Sequence, residues 1–213
     1  MRGVIFDMDG VLFDTEALWQ KYWNKAAEEM GITLPSQFKK DICGSSDKMP
    51  SVVSAYYGVS DPMPIIMKTY RRLQEHLKRE LPEKEGLHEA LKELREMGFA
   101  IAVASSSPTD NILANLERSN VREYFDVITS GQEVKNGKPA PDIFLLAAER
   151  LALPAEECYI FEDAYNGIRA ASAAHGVPIM IVDQSEPDEE MERLAHFICR
   201  SLMEAVNKIR EEA

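Results

Sequence analysis

Cysteine is scarce in this chain of 213 residues, with three, at positions 43, 158 and 199. The number is odd and the spacings are wide. That excludes a disulfide frame and the paired spacing of a zinc site, and it fits the reduced cytoplasm. The four histidines, His76, His88, His175 and His196, are scattered and read as surface or structural residues. No apolar run approaches the length of a membrane span, and the N-terminus carries no basic and apolar leader. Neither membrane insertion nor secretion is therefore expected. Positive charge is also short: 24 Lys and Arg stand against 36 Asp and Glu, a net charge of −12. A surface of that sign repels nucleic acid and anionic membranes, so an anionic ligand would have to be met by a local cation. Gly-x-x-x-x-Gly-Lys-Ser/Thr and Gly-x-Gly-x-x-Gly are both missing, which removes the nucleotide-binding loops.

What the chain does carry begins at once. Val4-Ile5-Phe6 runs into Asp7-Met8-Asp9-Gly10. A short apolar run of this kind reads as a strand buried on both faces, as in a parallel sheet. Ligands of open α/β sheets sit at the carboxyl ends of such strands. Two carboxylates delivered there, with a glycine to turn the chain, make a candidate reaction centre. A calcium loop is excluded, because an EF-hand needs its glycine at the sixth position and Gly10 stands at the fourth.

Beyond Asp14 the periodicity turns helical. Trp19, Tyr22, Trp23, Ala26, Ala27 and Met30 share one face up to Gly31. Three further helices follow, one after Pro35, one carrying Val52, Val53 and Tyr56, and one carrying Ile66, Tyr70, Leu73 and Leu77. Four helices with no strand between them predict a compact helical insert over residues 15–82. Leu81 to Gly86 is polar and turn-rich and reads as the return linker. From Leu87 onward helices and strands alternate. Strands are expected at 99–104, 124–129, 158–161 and 177–182. Glu186 to Glu192 reads as a solvated acidic face, and Leu202, Val206 and Ile209 as a last helix packed on the sheet. The fold class is α/β: a doubly wound, Rossmann-like parallel sheet formed by residues 1–14 and 83–213, with a helical cap inserted after the first strand. Such an insert lies over the strand ends and can act as a lid. A monomer is the default expectation.

Four strand ends carry polar residues of matching chemistry. The first delivers Asp7 and Asp9. The second delivers Ser105, Ser106 and Ser107 ahead of a helix, where hydroxyls and free backbone N–H groups suit a phosphate. The third polar site is Lys138, fixed in place by the Pro139-Ala140-Pro141-Asp142 helix start. The last strand end delivers Glu162 and Asp163. If these meet, four carboxylates crowd together, and each like-charge pair at ~4 Å costs about 4 kcal/mol at an effective dielectric of ~20. A divalent cation relieves that repulsion. An all-oxygen donor set without histidine or thiolate favours Mg²⁺.

The string Asp7-Met8-Asp9-Gly10-Val11-Leu12-Phe13-Asp14-Thr15-Glu16 resembles the first signature of the haloacid dehalogenase superfamily, in the branch of β-phosphoglucomutase and the small sugar-phosphate phosphatases. Ser105 matches the second motif, Lys138 the third, and Glu162-Asp163 the fourth. The resemblance implies Asp7 as nucleophile, Asp9 as general acid/base, and Ser105, Ser106 and Lys138 as phosphate ligands. It implies a Mg²⁺ site of Asp7, the backbone carbonyl of Asp9 and Asp163, with Glu162 in support. Ala164 departs from the serine often found after the Glu-Asp pair. The implied activity is a Mg²⁺-dependent phosphatase acting on small phosphorylated metabolites through an aspartyl phosphate.

Two other functions compete. Dehalogenases of this superfamily lack the second Asp, so Asp9 argues for phosphoryl transfer. A β-phosphoglucomutase-like mutase carries a cap histidine and a cap arginine, and the corresponding positions here are Trp19 and Asp47. A non-catalytic binding protein on the same scaffold would have lost a catalytic carboxylate, and every one is present. For the leaving group, the cap residues Glu16, Trp19, Lys48 and Met49 are the candidates. The run from Thr15 to Trp19 is similar to that of some hexose- and hexitol-phosphate phosphatases.

Overall fold

The computed structural model describes residues 2–42, 48–184 and 186–212. Six parallel strands form one sheet: β1 (Gly3–Phe6), β2 (Ala100–Ser105), β3 (Val127–Ser130), β4 (Cys158–Glu162), β5 (Val177–Ile181) and β6 (Phe197–Cys199), in the spatial order β3-β2-β1-β4-β5-β6. The chain leaves β1 toward β2 and β3, then returns to place β4 on the other side of β1. The strand order therefore reverses between β1 and β4, and that reversal opens the crevice in which ligands of such sheets bind.

Alternation along the strands builds two cores. Val4 and Phe6 face one way with Ile101, Val103 and Phe161. They pack on α5 (Leu87–Glu96), α6 (Thr109–Arg118) and α10 (Leu202–Glu212). Ile5 faces the other way with Ala102, Ala104 and Ile160, against α7 (Asp142–Arg150) and α8 (Tyr165–Ala173). Each fully buried Leu, Ile or Phe contributes roughly 1.5–3 kcal/mol, so strands of four to six residues are held mainly by packing. The register sets Phe6 level with Val103 and with Phe161. Asp7, one residue on, donates its backbone N–H to the Phe161 carbonyl at 2.9 Å, which extends the β1–β4 ladder up to the acidic residues.

Among the described residues, four helices stand between β1 and α5: α1 (Thr15–Glu28), α2 (Ser36–Ile42), α3 (Met49–Tyr57) and α4 (Met63–Leu77). They enclose a core of their own. Trp23, Phe38 and Tyr57 meet edge to face, and the Tyr57 hydroxyl donates to the Trp23 carbonyl at 2.7 Å. Met30, expected on the inner face of α1, is 45% exposed, because α1 ends before it and Gly31 turns the chain at φ +69°. The two segments that join this block to the sheet lie side by side. Asp14 N–H donates to the Pro82 carbonyl at 2.9 Å, and Lys84 N–H donates to the Leu12 carbonyl at 3.0 Å.

Two other regions depart from expectation. The third strand begins at Val127 because residues 122–124 form a 3₁₀ turn that seats Phe125 in the core. The acidic stretch is not wholly solvated. Glu189–Leu194 forms a short helix, α9, capped by the Asp188 carboxylate, which accepts from the N–H groups of Glu190 and Met191 at 3.0 and 2.9 Å. Met191 is fully buried with Ile168 and Met180, and this anchors α9 ahead of β6, a strand too short to register as a pattern. Met191→Ala is expected to lower the unfolding free energy by about 2 kcal/mol or more through the cavity it leaves. Glu192→Gln, on the exposed side, should stay within about 0.5 kcal/mol. Urea denaturation of both variants checks this.

Candidate active site

All four sequence-predicted segments converge at the carboxyl edge of the sheet around the β1/β4 reversal. Asp7 follows β1 directly, and Glu162 closes β4 with Asp163 next. One carboxylate oxygen from each of Asp7, Glu162 and Asp163 lies within 4.8 Å of the others, and all three residues are buried. Gly10 makes this approach possible. It sits at φ +85°, and a Cβ there would fall 2.3 Å from Asp163 Oδ2.

Among the described residues, Lys138 supplies the one positive charge that contacts Asp7 and Glu162. Its Nζ donates to Asp7 Oδ1 at 2.5 Å and to Glu162 Oε1 at 2.6 Å, and its side chain is 6% exposed. Glu162 is fully engaged: Oε2 accepts from the backbone N–H groups of Asp163 and Ala164 at 3.0 and 3.1 Å. Its role in this geometry is to hold Lys138 and the turn after β4. Burial works against the charge on Lys138, but Asp7 and Glu162 outweigh it and keep the ammonium above its usual range. The Asp163 carboxylate differs, since among the described residues no hydrogen-bond donor reaches it. Burial pushes it well above the carboxylate range, and Glu162, Glu16, Asp7 and Asp183 add to this. Asp7 is pushed up to about 8, chiefly by burial, with Lys138 opposing and Glu162 and Asp9 adding.

Asp9 occupies a different environment. Its carboxylate accepts from Thr15 Oγ1 at 2.6 Å, from Ser107 Oγ at 3.1 Å and from Ser105 Oγ at 3.5 Å. Burial raises it above the ordinary value, and the Thr15 and Ser107 hydroxyls offset part of that rise. Ser107 is itself held in place, since its backbone N–H donates to Ser105 Oγ at 3.1 Å and its carbonyl accepts from Ser130 Oγ at 2.7 Å. Thr15, Ser107 and Ser130 are contributors that the sequence did not single out for this role. Thr15 stands at the start of α1, where a threonine reads as a helix cap. The pairing of residue 9 with residue 107 depends on the fold.

Three buried carboxylates, the half-buried Asp9 and one ammonium leave a formal excess of three negative charges. The clustered carboxylates of Asp7, Glu162 and Asp163, an all-oxygen donor set with no histidine or thiolate, fit a hard divalent cation such as Mg²⁺. The same residues line a cavity of about 430 Å³ between the strand ends and the helical block. Glu16, Trp19 and Met49 lie on its wall, and so do Met67 and Tyr70, which the sequence did not single out. Lys48 is exposed and does not line it. Asp47 and the Gly44–Ser46 stretch lie outside the described residues. Ser106 lines the cavity beside Ser105.

Gly167, in the first turn of α8, backs Glu162 so closely that a Cβ would fall 1.8 Å from its Cδ. Gly167→Ala is expected to displace Glu162 and, with it, Lys138. The expected outcome is a loss of about 1–3 kcal/mol in urea denaturation, the cost of overpacking, together with a fall in activity at temperatures where the variant remains folded.

The chain matches the family model of the haloacid dehalogenase-like hydrolases over residues 4–208. It is 37% identical over 180 residues to a phosphorylated carbohydrates phosphatase of Thermotoga maritima, covering 82% of each chain. It is 31% identical over 176 residues to a fructose-1-phosphate phosphatase of Escherichia coli K12, covering 81% of this chain and 92% of that one. A β-phosphoglucomutase structure from Clostridium difficile superposes with a TM-score of 0.78 at 23% identity over 98% of both chains, a likeness of fold. With the matched span running from β1 into α10, the chain belongs to the haloacid dehalogenase-like hydrolases.

Proposed function

We propose that this protein is a Mg²⁺-dependent phosphatase of small phosphorylated metabolites, sugar or polyol monophosphates among them, working through an aspartyl phosphate. The observation that carries this reading is the division of labour between two carboxylates at the end of one strand. Asp7 lies against Lys138 and the acidic cluster, whereas Asp9 is surrounded by hydroxyl donors. One is placed to attack and the other to move a proton.

In the first step an Asp7 oxygen attacks phosphorus, and the bond from phosphorus to the leaving oxygen breaks. Asp9, which burial favours in its protonated form, gives its proton to that oxygen. In the second step Asp9 takes a proton from water, the water oxygen attacks the aspartyl phosphate, and inorganic phosphate leaves as Asp7 is restored. Lys138 and the Ser105 hydroxyl hold the non-transferring oxygens of the phosphoryl group. Asp7, Asp163 and the Asp9 carbonyl would hold Mg²⁺, with Glu162 in support through Lys138. The ion supplies charge neutralisation that lets an anionic phosphate approach a carboxylate. The helical block serves as the cap that shields this chemistry from bulk water.

A mutase is disfavoured. It would have to seat a second phosphate on the helical side of the cavity, and among the described residues no Lys or Arg lines that side. Residues 43–47 read Cys-Gly-Ser-Ser-Asp and can add none. Trp19 stands on the wall where the mutase pattern carries a histidine.

Asp7→Asn is expected to abolish Mg²⁺-dependent phosphate release, and Asp9→Asn to lower kcat by about 10²–10⁴. Wild-type turnover in Asp7→Asn would sink the mechanism. A second expectation follows from the raised carboxylates. In the unfolded chain Asp7 and Asp163 titrate near 4, whereas the folded, metal-free protein keeps them protonated to higher pH. Between about pH 4 and 8 the native state then binds more protons than the unfolded one, so these groups cost stability as pH rises. Cation binding needs both carboxylates ionised and should offset that cost. Calorimetry should therefore show Mg²⁺ raising Tm more at pH 8 than at pH 5, and Asp163→Asn should erase the difference. A larger effect at pH 5 counts against the assigned site.

A further inference from the structure

The wall that faces the phosphate site is chemically one-sided. Trp19 and Gln20 from α1, Met49 from α3, and Ile66, Met67 and Tyr70 from α4 form most of it. Glu16 is its single ionisable carboxylate among the described residues. Trp19 stacks on Trp23 at 5.7 Å with the planes 16° apart, and it leans on Tyr70 at 6.1 Å. Asn111 donates to the Tyr70 oxygen, and this bond holds the ring beside Trp19. Further along the same face of α4, Met67 and Met63 are 51% and 47% exposed. Met67 thus carries the apolar wall of the cavity out to solvent.

A leaving group pressed against this wall gains by apolar contact and loses wherever a hydroxyl or a charge is buried without a partner. An open-chain polyol has hydroxyls on every side and must strand some of them. A ring confines its polar groups to the rim and turns a flat C–H or π face outward. Among the described residues, a second phosphate or a carboxylate meets no cation on that wall and meets the like charge of Glu16.

Resting on the phosphatase reading above, we propose that Trp19, Met67 and Tyr70 form a selector for monophosphates of uncharged, ring-shaped alcohols. A cyclic sugar and a nucleoside both meet that description. Within the class proposed above, open-chain polyol phosphates of equal carbon number, and bisphosphates, are the poorer substrates. Thiol-free methionine side chains on the outer part of the wall adapt to rings of different size, so the selection is by shape class.

The test is a steady-state comparison with Mg²⁺ present, using the full chain. The substrates are a cyclic hexose 6-phosphate, the matching hexitol 6-phosphate, a hexose bisphosphate, a pyrimidine nucleoside 5′-monophosphate and acetyl phosphate. For the wild type, kcat/KM on at least one ring monophosphate should exceed that on the hexitol phosphate and the bisphosphate by about tenfold or more, the scale of discrimination that apolar contacts deliver. In Trp19→Ala, and separately in the surface change Met67→Gln, the ratio of ring to open-chain kcat/KM should fall toward one. Met30→Gln, on the exposed end of α1 away from the cavity, should leave the ratio unchanged. The ratio is read within each variant, so a general loss of folded enzyme cancels. A hexitol phosphate turned over as fast as the best ring substrate, or a ratio untouched in both wall variants, overturns the selector. If the wild type fails even on acetyl phosphate, which is too small to need the wall, the phosphatase reading falls and the selector with it. A preference for the hexose or for the nucleoside identifies the ring, and either result supports the proposal.

Discussion

The site depends on one lysine ammonium held between two buried carboxylates. Lys138 reaches Asp7 and Glu162 at hydrogen-bond distance from inside the protein. Without it, removing those carboxylates from water would be a large uncompensated cost. With it, Asp7 is fixed at the strand end and Glu162 is tied to the turn that carries Asp163. The compensation is partial by design, because one positive charge faces four carboxylates. The remaining excess of negative charge would be relieved by a divalent ion at the edge of the sheet.

The sheet explains why these groups can be brought so close. Parallel strands deliver all their carboxyl ends to one edge, and the reversal between β1 and β4 parts the helices there. Asp7 and Glu162 come from neighbouring strands in register, Ser105 from the strand on the other flank, and Lys138 from the segment leading into α7. Two glycines, Gly10 and Gly167, have no Cβ where a carboxylate needs the space. The acidic cluster is thus a property of backbone geometry as much as of side-chain choice.

Much of this was legible in the sequence, because each strand-end motif is a contiguous string in which polar residues interrupt an apolar run. Val4 to Asp9, Ser105 to Pro108 and Phe161 to Asp163 could each be read locally. The order of elements followed from the switch between helical and strand periodicity. Other features were not legible. The hydroxyls that hold Asp9 come from residues 15 and 107, whose meeting requires the folded sheet. Lys48, a plausible cap contact by position, points into solvent. The contribution of Met67 and Tyr70 to the wall depends on how α4 is rotated, and a period of 3.6 does not say which stripe will face a cavity. In α9 the acidic composition masked a single buried methionine.

The paired segments that join the helical block to the sheet have a mechanical consequence. Because the backbone near Leu12–Asp14 is bonded to that near Pro82–Lys84, the block hangs from a two-stranded strap, not from two independent tethers. Any rocking must bend both strands together, which confines the motion to a narrow arc. Thr15 begins just beyond the strap and its hydroxyl is bonded to Asp9. A displacement of the block on that strap would therefore pull on the hydroxyl that holds Asp9, linking the position of the roof to the floor of the cavity.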